Sequence, residues 1–125
     1  AYTMAMLCNE VRQEVGATCD VQIFATDIDE RALSIGRKGC YPIGIEKEVS
    51  PERLDRFFTK RGKRYHVNKE VRELVHFSSH NLISDPPFSR QDLISCRNLL
   101  IYLGNHLQNK LIPLFHFSLR PGGYL

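Results

Sequence analysis

The sequence has no run of about 18 apolar residues, the least a membrane-crossing helix needs, so it predicts no membrane span. No leader pattern opens it: Tyr2-Thr3-Met4-Ala5-Met6-Leu7 reads as the interior of a helix. The four cysteines (Cys8, Cys19, Cys40 and Cys96) form no CxxC pair, and they are read as free thiols in a reducing cytoplasm. The five histidines lack ligand spacing. His76 and His80 stand four apart, but in a strand-like run that spacing does not make a helical pair, so no metal site is expected. Strong charge is also missing. A net charge of +3 does not suggest a nucleic-acid binder, which usually carries a pronounced basic face. No internal repeat and no low-complexity tract interrupts the chain.

What is present is an ordinary globular composition, 42% hydrophobic and 25% charged over 125 residues, enough for one domain with a sizeable core. The spacing predicts a helix over 2–15, with Met4, Leu7, Val11 and Val15 near helical intervals and Gly16 as its stop. A buried strand over 20–26 precedes Asp29, the expected N-cap of a helix near 30–37 that Gly39 closes. Residues 40–44 read as a turn. Ser50-Pro51-Glu52 opens a short helix with Leu54, Phe57 and Phe58 on its apolar face. A charged turn at Lys60–Arg64 leads into a brief strand, Tyr65-His66-Val67, so 45–72 reads as a small inserted β-subdomain. Strands are expected over 74–80 and 92–96, a proline-bearing loop at Asp85–Phe88, a short helix over 99–103, and a longer one near 105–118 that Pro113 kinks or breaks. Pro121-Gly122-Gly123 reads as a tight turn into a strand. Both ends look like cuts through structure. Alternating helices and strands predict an α/β fold with a mostly parallel sheet covered on both faces.

Two segments carry the chemistry. Val21–Asp29 and Asp92–Tyr102 each read as a buried strand that runs into polar residues before a helix, the way an open α/β sheet builds a ligand crevice at its strand ends. A nucleotide-like ligand is expected there, with Asp27 and Arg97 among its contacts. Asp27 is placed to accept ribose hydroxyls, the alternative being a solvated or capping carboxylate. Asn81 can pair with a base edge and Leu82 can pack on the ring, or Asn81 simply stabilises a turn. Arg97 offers forked donors to a carboxylate. Tyr102 either points its hydroxyl into the crevice or packs in the core. Cys96 reads as a small buried hydrophobe.

Ala25-Thr26-Asp27-Ile28-Asp29, Gly39-Cys40-Tyr41, Val75-His76-Phe77 with Asn81-Leu82, Cys96-Arg97-Asn98-Leu99-Leu100-Ile101-Tyr102 and Leu119-Arg120-Pro121-Gly122-Gly123 together resemble the CheR family, chemotaxis receptor methyltransferases that use S-adenosylmethionine. The resemblance runs in order along nearly the whole chain, and the Cys-Arg-Asn-x-x-Ile-Tyr segment is its most specific part. It implies a Rossmann-like class I methyltransferase domain, truncated at both ends, lacking the glycine-rich first strand and loop and the closing strands. It further implies methyl transfer to receptor glutamates, S-adenosylhomocysteine as the product, and a cytoplasmic protein. On this reading Asp27, Asn81, Leu82, Arg97 and Asn98 hold the cofactor, Arg97 and Tyr102 serve the transfer, and the 45–72 subdomain meets the cytoplasmic domains of chemoreceptors. The Asp85-Pro86-Pro87-Phe88-Ser89 loop resembles forms fused to a methylesterase and sensor modules. The resemblance also implies that this stretch alone binds cofactor weakly or not at all.

Two rivals share the same features. A nicotinamide-dependent oxidoreductase would suit Asp27, but no Gly-x-Gly-x-x-Gly is present. A non-catalytic module that docks a receptor or response regulator would keep the fold, but the retention of Asp27, Asn81, Arg97 and Tyr102 argues against it.

Overall fold

The computed structural model describes residues 1–125. The chain forms two compact units, Ala1–Ser79 and His80–Leu125.

In the first unit, helix α1 (Tyr2–Glu14) buries Tyr2, Ala5, Met6 and Asn9, a stripe at i, i+3, i+4 and i+7. The stripe read from the sequence lies on the opposite side of the helix: Leu7, Val11 and Val15 are 38%, 55% and 67% exposed. Two apolar rows satisfy the same 3.6-residue period, and the row headed by Tyr2 wins because its ring reaches Tyr41 and Phe77 edge-on at 6.4 and 5.6 Å.

Strands β1 (Ile23–Asp27) and β5 (Val75–Ser79) pair in parallel, from Ile23 opposite Val75 to Asp27 opposite Ser79. Helix α2 (Glu30–Lys38) starts where expected, because the Asp29 carboxylate accepts from Arg31 N at 2.8 Å, and it ends at Gly39 with φ 54°. Gly36 lets this helix close on the sheet: a Cβ there would stand 2.5 Å from Phe77 Cε1.

Residues 40–42 are not a turn but strand β2 (Cys40–Pro42), which pairs antiparallel with β4 (Arg64–Val67); β4 pairs in turn with β3 (Phe58–Arg61), in the order β2-β4-β3. Pro42 and Gly44 suggested a turn, but the alternation of side chains decides otherwise. Tyr41 packs on the core, while Cys40 Sγ lies 3.7 Å from His66 Nε2 on the opposite face.

Helix α3 (Pro51–Phe57) is capped by Ser50, and α4 (Lys69–Arg72) follows β4. Phe57, Val71, Val67 and Val75 sit at the centre of a core that also takes Tyr2, Ala5 and Met6 from α1. Asn9, buried among them, is fully engaged: its amide donates to Glu70 at 2.7 Å and its carbonyl accepts from Arg56 at 3.1 Å. Arg53 grips both oxygens of Glu10 at 2.8 Å, tying α3 to α1.

In the second unit, β6 (Gln91–Leu93) is shorter than the expected 92–96 and pairs in parallel with β7 (Leu119–Tyr124). Pro121-Gly122-Gly123 lies inside β7 rather than before a strand. Between Gln91–Leu119 and Leu93–Tyr124 the register shifts, so β7 bulges, with Gly122 at φ 81°. Helix α5 (Asn105–Ser118) continues through Pro113 without a break and buries Leu111 and Phe115. Only a single 3₁₀ turn, Leu100–Tyr102, forms where a helix over 99–103 was expected. No helix of the protein is long and apolar enough to cross a membrane.

Candidate functional site

The residues proposed for the site occupy three carriers. Asp27 is the last residue of β1, at the carboxyl end of the parallel pair with β5. A parallel strand that ends there and feeds a helix exposes its final side chain to whatever lies above the sheet edge. Asp27 is exposed, and one carboxylate oxygen accepts from Asp29 N at 3.0 Å. Its other oxygen carries no bond within the protein, which leaves an acceptor of the kind a ribose hydroxyl needs. Asp29, two residues on, is committed to α2 as its N-cap. The two acids of Asp-Ile-Asp therefore divide their work.

The second carrier follows β5. Asn81 and Asp85 close a tight turn: Asp85 N donates to Asn81 O at 2.9 Å, and Asn81 N donates to Asp85 Oδ2 at 2.7 Å. Ser84 Oγ donates to Asp85 Oδ1 at 3.0 Å. These donors, the Asn81 N–H first and Ser84 next, hold the Asp85 carboxyl below its ordinary value. Asn81 Oδ1 accepts from Ile83 N at 3.0 Å, leaving the Asn81 Nδ2 hydrogens as the group this side chain presents outward. The turn reading and the ligand reading of Asn81 are thus compatible, since each uses a different end of the amide. Leu82, at the apex, is half-buried. At the base of the loop His80 Nε2 lies 3.0 Å from Pro86 O, which can only accept, so Nε2 carries the proton; the ring also packs on Phe88 at 4.8 Å. In the sequence Asp85 reads only as part of a loop and His80 only as lacking metal-ligand spacing; neither is expected there to shape this turn. The Asn-x-x-Ser-Asp-Pro spacing is the one local signal that points to such a turn.

The third carrier is the segment after β6. Arg97 is exposed and Asn98 stands in the left-handed region at φ 62°, a conformation asparagine tolerates better than most residues. Tyr102, 80% exposed, does not pack in a core. Cys96 is half-buried, and burial pushes its thiol up from the ordinary value. All four cysteines are free, and no group of three or more His, Cys, Asp or Glu gathers as metal ligands do.

The CheR methyltransferase SAM-binding domain family model matches residues 1–125, the whole chain. The chain is 39% identical over 128 residues to chemotaxis protein methyltransferase 1 of Vibrio cholerae, covering 99% of this chain and 46% of the relative. It is 36% identical over 129 residues to chemotaxis protein methyltransferase 1 of Pseudomonas aeruginosa, covering 99% of this chain and 47% of that protein. A 104.1 kDa uncharacterized protein of Rhodobacter capsulatus is 39% identical over 125 residues, all of this chain but 13% of that protein. The sequence thus spans about half the length of the chemotaxis methyltransferases it matches. The fold and the match along its length define a Rossmann-like domain of the S-adenosylmethionine-dependent methyltransferases. Within that class the chain belongs to the CheR family, whose SAM-binding domain it carries, and its cofactor is S-adenosylmethionine. Taken one at a time, the residues present do not conflict with that group: Asp27 has a carboxylate oxygen with no partner in the protein, an acceptor of the kind a ribose hydroxyl needs, and Asn81 has amide hydrogens of the kind a base acceptor needs.

Proposed function

We propose that the protein containing this domain transfers methyl groups from S-adenosylmethionine to glutamate side chains of chemotaxis receptors in the cytoplasm. The observation that carries the reading is the ordered family match over residues 1–125, together with the unengaged oxygen of Asp27 at a parallel strand end. Relatives at 39% and 36% identity are named chemotaxis protein methyltransferases, which supports a chemoreceptor as the acceptor.

The acceptor chemistry fits a site without a strong base. A glutamate side chain is already an anion at neutral pH, with an ordinary pKa of about 4.3, so no proton has to be removed. When bound, the cofactor supplies an electrophilic methyl carbon on a sulfonium. The chain's own residues hold and align. Asp27 takes the ribose hydroxyls, while Asn81 and Leu82 take the base. Asn98 lines the cofactor beside Arg97, and Arg97 holds a carboxylate with its forked donors. The exposed Tyr102 hydroxyl is proposed as a further donor that serves the transfer. Alignment of oxygen, carbon and sulfur, with water excluded from a weak nucleophile, supplies the rate.

Residues 45–72 are the proposed receptor-docking subdomain. The β3–β4 hairpin turns through Gly62 at φ 58° and carries Arg61, Lys63 and Arg64 on an exposed tip. Lys60, also exposed, is partly neutralised there by Glu46, to which it donates at 2.8 Å. A cationic tip suits an acidic receptor surface. The 104.1 kDa relative carries a similar stretch over 13% of its own length, which is compatible with such a domain lying inside a longer chain; fusion to methylesterase or sensor modules is part of the proposal.

The test is transfer of isotope-labelled methyl from S-adenosylmethionine to a receptor cytoplasmic fragment by the full-length protein. The expected product is a base-labile methyl ester on glutamate. Label that resists mild base, or that appears on no receptor, contradicts the reading.

A further inference from the structure

The turn after β5 is built so that one side chain orients another. Asn81 Oδ1 lies 3.0 Å from Ile83 N, and because that backbone amide can only donate, the oxygen end of the Asn81 amide must face inward. This orientation depends on the backbone of Asn81 staying where it is. Asp85 holds it there, taking Asn81 N at 2.7 Å on one oxygen and Ser84 Oγ at 3.0 Å on the other, while Asp85 N closes the ring onto Asn81 O at 2.9 Å. His80 fixes the base of the same loop through Pro86 O at 3.0 Å. The outcome is that the Nδ2 hydrogens are the end of the Asn81 amide left without a partner in the protein, while the oxygen end is held to the turn.

We propose that Asp85 is a positioning residue that locks Asn81 to donate to a ring nitrogen of the cofactor's adenine, so that the loop reads an acceptor on the base. The inference rests on the reading that Asn81 lines the cofactor site. A base that lacks the matching nitrogen leaves the Asn81 amide hydrogens unpaired, and an unpaired buried donor is costly.

The experiment measures binding of S-adenosylhomocysteine and its 1-deaza, 3-deaza and 7-deaza adenine analogues to the full-length protein by calorimetry. In the wild type one of the three analogues binds about tenfold more weakly than the parent. Asn81→Ala abolishes that penalty. Asp85→Ala, which frees the amide to turn, shrinks it to below about threefold, a change that a purely structural role would not produce. If Asp85→Ala fails to fold, Asp85→Val, which keeps bulk and removes both acceptors, is read in the same way. A full deaza penalty in the Asp85 variant, with the penalty gone in Asn81→Ala, overturns the role of Asp85. No penalty for any analogue in the wild type, or an unchanged one in Asn81→Ala, overturns instead the placement of Asn81 at the base.

Discussion

Asp27 holds the backbone amide of Asp29 at 3.0 Å with one carboxylate oxygen and leaves the other without a partner. Asp29 in turn spends its carboxylate on Arg31 N at 2.8 Å. Two acids separated by one residue are thereby engaged differently: the first keeps an oxygen free, and the second is committed to a helix N-terminus.

That division predicts opposite phenotypes. Asp29→Ala removes an N-cap and lowers stability by about 1 kcal/mol, read by urea unfolding, with cofactor affinity little changed. Loss of affinity without loss of stability in Asp29→Ala contradicts the assignment.

Arg97→Ala in the full-length protein is expected to lower methyl transfer tenfold or more, with the unfolding midpoint unchanged, because Arg97 is exposed and packs on no core. Transfer at the wild-type rate removes Arg97 from the reaction.

Phe57 is 1% exposed at the centre of the first unit's core. Phe57→Ala is expected to cost about 3–5 kcal/mol by the loss of burial and the cavity left behind. A cost below about 1 kcal/mol, measured in the same unfolding experiment, is inconsistent with the packing described.

Gly36 faces Phe77, and an added Cβ would lie 2.5 Å from its ring. Alanine gains about 1 kcal/mol of helix propensity there, but overpacking costs about 1–3 kcal/mol, so Gly36→Ala is expected to destabilise on balance. Pairing it with Phe77→Leu makes room, and the double variant should lose less than the two single losses added. Simple additivity shows that the two positions do not touch.

Glu10 is held below the ordinary carboxylate value of 4.5, first by its hydrogen bonds from Arg53. A depressed value in the folded state means that the pair contributes above the unfolded value and is lost as pH falls through the folded one. Stability is therefore expected to decline as pH drops below about 4.5, and Glu10→Gln should flatten that decline. Parallel stability curves for the two proteins between pH 7 and pH 3 refute the link.

Much of the frame was legible because its signals are local. Asp29 and Gly39 bracket α2, and Ser50-Pro51 opens α3, each by a cap that involves only its neighbours. Strand β2 was not legible, since Cys40–Pro42 becomes a strand only by pairing with residues 64–66. The buried face of α1 was ambiguous because two apolar rows share one period, and only the partner elements choose between them. The polar residues at the ends of strand-like segments, Asp27 and Arg97, stood out in the sequence. Asp85 did not, because a carboxylate that receives a backbone amide four residues earlier is defined by the turn's conformation rather than by its composition.

In the proposed site Asp27 holds the cofactor's ribose. Calorimetric titration of the full-length protein with S-adenosylhomocysteine tests it most directly, with Asp27→Ala alongside and NAD as the competing ligand class. Saturable binding of S-adenosylhomocysteine is expected, at least tenfold weaker in Asp27→Ala with the fold intact, and no binding of NAD. Equal affinity in the two proteins, or preferential binding of NAD, contradicts it.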